Sequence, residues 1–156
     1  MRHALLLAAL IVPGSVLAAT PKPKAAPRFD GLYQEYPPVV DSSDNEHRWY
    51  LRFYEDGTVV QKETISAPEK WTSKLERENE KIDKGSYKAA DGRLTYDFLL
   101  GGDGYKTTYS AEGRFLPGGK LELSITSLTV FDRLPAGTPY TIKRTFAFMK
   151  IKTPAK

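Results

Sequence analysis

His47 is the residue from which acid–base or nucleophilic chemistry in this chain would have to start. The sequence holds two His and no Cys, and the other His, His3, stands with Arg2 just before an apolar N-terminal run. His47 ends the stretch Asp41-Ser42-Ser43-Asp44-Asn45-Glu46-His47. A Ser/His/Asp triad needs nucleophile, base and orienting acid held rigidly by separate segments. Here they crowd into one polar stretch, which reads as a solvated loop. The same stretch offers oxygen ligands and one imidazole, but its spacing is not that of a calcium loop. Gly101-Gly102-Asp103-Gly104 reads as a turn. Glycoside hydrolysis needs two facing acids, and alternation puts Asp97 and Glu122 on polar strand faces. No phosphate-binding or dinucleotide-binding glycine pattern is present. The absence of Cys excludes disulfides, thiol catalysis and cysteine-ligated zinc or iron–sulfur centres. The expectation is a non-enzymatic protein with no cofactor and no metal site.

Aromatic side chains are the informative excess: 9 Tyr, 7 Phe and 2 Trp in 156 residues. Their spacing says which elements carry them. Trp49, Leu51 and Phe53 share a strand face with His47, while Arg48, Tyr50, Arg52 and Tyr54 take the other. Leu94, Tyr96 and Phe98 alternate with Arg93, Thr95 and Asp97. Leu121, Leu123 and Ile125 alternate with Glu122, Ser124 and Thr126. Ile142, Arg144, Phe146 and Phe148 share a face with Tyr140. One dry face and one wet face is the pattern of an antiparallel sheet wrapped on a core. The inward set Trp49, Phe53, Tyr96, Phe98, Arg144, Phe146 and Phe148 has two readings. It is either a solid core of rings or the lining of an interior that admits a small apolar ligand.

Strands are expected at Phe29–Tyr36, Arg48–Tyr54, Thr58–Lys62, Ser86–Ala89, Arg93–Leu99, Tyr105–Leu116, Lys120–Leu128 and Tyr140–Ile151. Asp56-Gly57 and Asp91-Gly92 between apolar runs signal tight hairpins, because a type I′ turn needs two residues tolerant of positive φ. Pro117-Gly118-Gly119 marks a third. Ser66-Ala67-Pro68-Glu69 has capping-box spacing, so a short helix is expected over Ala67–Glu80. Trp71 and Leu75 would anchor it on the sheet, as a fixed plug or as a lid. The fold class is therefore all-β: one antiparallel barrel or strongly curved sheet of about eight strands with one short helix.

The ends of this strand series resemble the lipocalins and their relatives, the calycins. That family closes a Gly-x-Trp on its first strand with a basic residue from its last. Gly31-Leu32-Tyr33 keeps the Gly and replaces the Trp, and Arg144 stands on the last strand. The resemblance implies a barrel whose interior takes a small apolar ligand, with Arg144 stacked on Tyr33. Fatty-acid-binding relatives carry Arg-x-Tyr on the last strand to grip a carboxylate. Arg144-Thr145-Phe146 keeps the Arg and loses the hydroxyl.

Residues 1–19 read as an export signal: Arg2 and His3, the short apolar run Ala4–Val12, a Pro-Gly break, and Val16-Leu17-Ala18 before the cut. The run is too short to span a bilayer. Residues 20–28 form a Pro/Lys-rich linker, 29–151 the barrel domain and 152–156 a basic tail. The whole chain carries a formal charge of +4. A mild excess partly in the tails argues against nucleic-acid binding, which concentrates basic residues on one face. The expected protein is periplasmic or secreted, without a membrane span after cleavage. Its expected role is to bind a small, largely apolar ligand inside the barrel. The alternative is a protein-interaction module, an adaptor or inhibitor, with a solid core. An exposed apolar patch at Val130, Phe131 and Leu134 would mark that second case.

Overall fold

The structure, a computed structural model, describes residues 25–66, 71, 74–132, 135 and 137–151. Nine strands follow in order: β1 Gly31–Glu35, β2 Val39–Val40, β3 Glu46–Phe53, β4 Thr58–Thr64, β5 Asp83–Ala90, β6 Arg93–Gly102, β7 Tyr105–Leu116, β8 Lys120–Phe131 and β9 Tyr140–Lys150. Their spatial order is β1-β9-β8-β7-β6-β5-β4-β3-β2, and β1 also pairs with β3. That last pairing closes a ring of eight antiparallel strands. β2 is an additional two-residue strand on β3, joined through Val39–His47 and Val40–Glu46. The expected all-β barrel is present.

Register explains the core. Tyr33 pairs with Leu51 and with Phe148, so the inward rows of β3, β1 and β9 line up. Tyr33, Leu51, Phe53, Val59, Leu94, Tyr96, Phe98, Leu121, Ile125 and Phe146 are all within 2 % of full burial. All but Tyr33 and Val59 come from positions that alternation assigns to the dry face.

The two ends of the barrel differ. The β3–β4, β5–β6 and β7–β8 hairpins turn at one end, called here the closed end. Rings fill it: Tyr33, Phe53, Phe115, Phe148 and Tyr87 meet at centroid distances of 5.0–5.8 Å, mostly edge to face, an arrangement favoured by the ring quadrupole. Arg28 completes the seal. The Arg28 guanidinium lies 3.8 Å above the Phe148 ring, and the Arg28 backbone N–H donates to Tyr33 Oη at 3.0 Å. The β6–β7 and β8–β9 turns lie at the opposite end, the mouth. Asp91 and Gly92 both hold positive φ, 55° and 78°, as the hairpin reading requires. The Asp56-Gly57 turn is wider. Only Gly57 is left-handed, Tyr54 N–H donates to the Thr58 carbonyl, and Asp56 Oδ1 accepts the Thr58 N–H.

The helix expected over Ala67–Glu80 is not formed where the chain is described, and residues 67–70, 72 and 73 lie outside the described part. From Lys74 to Ile82 the chain makes successive turns. Asn79 is the physical reason: its side chain donates to the Lys74 carbonyl at 2.8 Å and accepts the Lys81 N–H at 3.0 Å. Such side-chain bonds compete with the helical ladder. Leu75, fully buried, is the stronger anchor, and Trp71 is only half-buried. Leu75 and Ile82 cover Leu32, Tyr50 and Val60 on the outer wall of β1, β3 and β4. Arg77 then reaches Asp56 in the closed-end hairpin at 2.6 Å. The segment therefore lies along the wall and not across the mouth. Leu75→Ala should cost about 2–3 kcal/mol, toward the low end for buried Leu because the neighbouring turns can settle into the space. Urea unfolding measures it, and Trp71 emission in a Trp49→Phe background should shift to the red.

Five tyrosines bind the barrel to neutral and moderately alkaline conditions. Burial pushes the phenols of Tyr33, Tyr54, Tyr87, Tyr96 and Tyr109 up, Tyr54 to about 12. Tyr54 Oη meanwhile donates to the Leu75 carbonyl at 2.7 Å. A folded-state value above the unfolded one, about 10, favours the neutral phenol in the fold. Stability from these groups is complete below pH 10 and is lost as pH climbs toward 12. The urea midpoint should fall across that window, with tyrosinate absorbance rising as the barrel opens.

Candidate functional site

The mouth is where inward side chains stop being buried. Along β7, Ala111 is 2 % exposed, Tyr109 is half-buried, Thr107 is 8 % exposed where its hydroxyl meets that of Thr129 at 2.9 Å, and Tyr105 is 42 % exposed. Along β9, Phe146 is fully buried, Arg144 and Ile142 are half-buried and Tyr140 is 65 % exposed. Glu63, inward by its pairing with Trp49, is exposed as well. The barrel is thus plugged at one end and accessible at the other.

Trp49, Arg144 and Glu35 form the floor. Arg144 turns inward but does not stack on Tyr33. Its guanidinium lies 4.8 Å from the Trp49 ring centroid and is ion-paired with Glu35 Oε1. The other Glu35 oxygen accepts the Trp49 N–H at 3.1 Å. An inward Arg in an apolar barrel needs a counter-charge, since an isolated buried ion is very costly. Glu35 supplies it from the end of β1. Trp49 also meets Tyr109 edge to face at 6.1 Å. Burial comes first in raising the Tyr109 phenol, and the charges of Glu63 and Asp83 add to it. Around this floor Trp49 Nε1, Tyr96 Oη, Gln61 Oε1 and Arg144 Nε are buried without a hydrogen-bond partner.

The other anticipated interior residues sit deeper. Tyr96 and Phe98 contact each other edge to face at 5.3 Å. Phe53 and Phe148 belong to the ring cluster at the closed end. Phe146 packs in the same core. The seven are brought into one interior, but only Trp49 and Arg144 reach the mouth. Glu35, Gln61, Glu63 and Tyr109 escaped the sequence reading. Glu35 carried a usable signal, because it follows Gly31 and Tyr33 on the same face of β1.

Exposed apolar side chains crowd the rim. Ten large hydrophobic residues are exposed among those described; Tyr105, Val130 and Phe131 stand together at the end of the β7–β8 ladder, and Tyr140 opens β9 beside it. Tyr36, Val39 and Val40 follow β1. Tyr105 and Phe131 face each other at 6.5 Å. Leu134 lies outside the described residues. Acids accompany this patch: Asp41, Asp44, Glu46, Glu63, Asp103 and Asp132 against Lys62, Lys106 and an Arg48 already paired with Glu46 at 2.6 Å.

The Asp41–His47 stretch is a folded loop. Asp41 Oδ1 accepts the Ser43 and Asn45 N–H groups at 2.8 and 3.0 Å, and its Oδ2 lies 2.9 Å from His47 Nε2. The Asn45 amide, the His47 ring and the Ser43 amide, in that order, hold the Asp41 carboxyl far below the usual range. His47 is shared between Asp41 and Glu63, with no Ser beside it. No cluster of His, Asp and Glu suited to a metal ion occurs among the described residues.

A surface depression of about 810 Å³ forms a groove on the outer wall of β6–β9. Its outward lining is polar: Arg93, Thr95, Glu112, Arg114, Glu122 and Lys143. Arg114 and Glu122 pair there at 3.0 Å. No family model, no curated protein and no solved structure matches this chain.

Proposed function

We propose that this protein is an exported, non-enzymatic interaction module that holds another protein at the mouth of its barrel. One observation carries the reading: exposed Tyr105, Val130 and Phe131 stand together at the mouth end of the β7–β8 ladder, with exposed Tyr140 opening the adjoining β9. A contiguous exposed apolar patch on a soluble surface marks a contact site, whereas scattered ones mean nothing. The interior supports the same reading, since Phe53, Tyr96, Phe98 and Phe146 are each within 2 % of full burial. The acids beside the patch disfavour an anionic membrane surface or nucleic acid as the occupant.

The test is photo-crosslinking in the exported compartment. A crosslinker at Phe131 or Tyr105 should give a discrete protein adduct. The same group at Thr95, on the polar outer wall, should not. Equal labelling from both positions would overturn the assignment of the mouth.

A small ligand seated at the mouth is the second reading, in keeping with the lipocalin resemblance. It is favoured by the unpartnered Trp49 Nε1, Tyr96 Oη and Arg144 Nε, because buried donors without acceptors are costly. A ligand acceptor would satisfy them. Anilinonaphthalene sulfonate, which joins an apolar ring system to an anion, is the probe. In a Trp71→Phe background it should quench Trp49 if this reading holds, and leave Trp49 unchanged if the protein surface alone is the site.

A further inference from the structure

The wall of the barrel lacks one strand at the mouth. β5 is shorter than β6 and begins short of the mouth ends of both β4 and β6. Its pairing with β4 ends at Gln61–Asp83, and its pairing with β6 ends at Gly85–Phe98. β4 nevertheless continues along β3 to the Arg48–Thr64 pair, and β6 continues along β7 to Gly102–Tyr105. Lys62–Thr64 and Leu99–Gly102 therefore flank a gap with no strand between them among the described residues.

A strand edge with unpaired N–H and C=O groups is a template for another extended chain. Proteins usually guard such an edge with Lys, Pro or a covering segment. Leu99-Leu100-Gly101-Gly102 has no charge and no Pro, and Leu99 is 64 % exposed. The far edge of the same three-stranded projection is guarded, because the Gly137 N–H donates to the Thr129 carbonyl at 3.0 Å. Residues around the gap indicate what would fill it. On the inner side stand Glu63 and Asp83, with Trp49 and Tyr109 behind them. On the outer side stands Leu99 on the β6 edge, across from Lys62, whose ammonium lies 5.7 Å from the Trp71 ring.

We propose that this gap accepts one extended segment of a partner protein, with basic side chains facing inward and apolar side chains facing out. The partner's main chain completes the wall between β4 and β6. Its inward cations meet Glu63 and Asp83 and lie over Trp49 and Tyr109, and its outward apolar groups cover Leu99. Main-chain bonds then supply affinity and the alternating side chains supply specificity. The proposal rests on the mouth being a protein-binding end and names the form in which the partner arrives.

The experiment uses three capped peptides of about seven residues, a typical strand length. One alternates Arg and Val, one alternates Glu and Val, and one is the Arg/Val peptide with Pro at its central Val. The Arg/Val peptide should bind the full protein and slow amide exchange at Leu99–Gly102 and Lys62–Thr64 at least about tenfold. The Glu/Val and Pro peptides should bind at least about tenfold more weakly, lacking the charge match in one case and a ladder N–H in the other. Equal binding by the Pro peptide, protection confined to other strands, or no binding by the Arg/Val peptide would each overturn the gap as a strand site. Crosslinking at Phe131 with none of the peptide effects would leave the mouth as a protein-binding end and remove only the strand. Loss of both would remove the reading of the mouth as well.

Discussion

Glu35→Gln should destabilise the barrel by about 3–5 kcal/mol, the cost of leaving a buried charge without its partner. The Glu35 side chain is 5 % exposed and that of Arg144 16 %, and they are joined by an ion pair. Glu35 also fixes β3 through the Trp49 N–H. The amide of Gln keeps the shape and can still accept that N–H, so the substitution removes charge alone. Arg144 would then face an amide dipole in place of a carboxylate, with only the Trp49 ring to offset it. A cation over an indole contributes about 1–2 kcal/mol, too little to replace the ion pair. The second half of the experiment is Arg144→Met in the same chain. Pairs removed together often cost little, because no charge is stranded. The double variant should therefore recover most of the lost stability, and the coupling energy should be large. Urea unfolding with unchanged slope measures all three variants. A loss below about 1 kcal/mol for Glu35→Gln would mean that Arg144 is hydrated at the mouth and draws little from its partner.

That pair also shows how far a sequence reading could go. Alternation placed Trp49, Tyr96, Phe98, Phe146 and Phe148 on the dry face because each strand is half-buried, and the period of two survives any detail of closure. The same rule put Arg144 inside and required a partner for it. The partner was assigned to a ring on β1 when β1 held a carboxylate two residues further on. Which inward residues meet across a barrel depends on tilt and stagger, and these are fixed by pairings distant in sequence. For the same reason the gap at the mouth was not legible. The described stretch before β5, Lys74–Ile82, lies on the outer wall with Leu75 and Ile82 beside Leu32, Tyr50 and Val60, so β5 starts late. The helix expectation failed through local chemistry. The capping signal at Ser66–Glu69 is real in type, but Asn79 offers the backbone competing bonds ten residues on. The rim was legible only in part: Val130 and Phe131 stand out in a presumed loop, whereas Tyr140 comes beside that end of β8 only through the β8–β9 pairing.

Gly113→Ala should be among the most damaging single-methyl changes in the wall, alongside Gly31 and Gly85, whose Cβ positions also meet a ladder carbonyl. Gly113 pairs with Leu94 on one side and Leu123 on the other, in the middle of β7. A Cβ at this position would overlap the Glu122 carbonyl oxygen and come within 2.6 Å of Leu123 Cδ2. The Leu123 side chain can rotate away, but a ladder carbonyl cannot move without breaking strand pairing. Most glycines in strands are tolerated as weak points and gain stability when replaced. This one marks a place where β7 and β8 approach too closely for any side chain, as happens where a sheet coils tightly to close a barrel. The expected cost is about 3 kcal/mol or more, beyond ordinary overpacking because the clash falls on backbone. Gly104→Ala is the matched control. Its φ is +84° but nothing lies within 4 Å of its Cβ position, so it should cost only about 1 kcal/mol of backbone strain. Urea midpoints for the two variants separate crowding from strain. If Gly113→Ala melts no lower than Gly104→Ala, the wall at β7–β8 is slack enough to breathe. The Arg144–Leu123–Gly113–Leu94 row beneath the mouth could then not serve as a rigid frame for a docked partner.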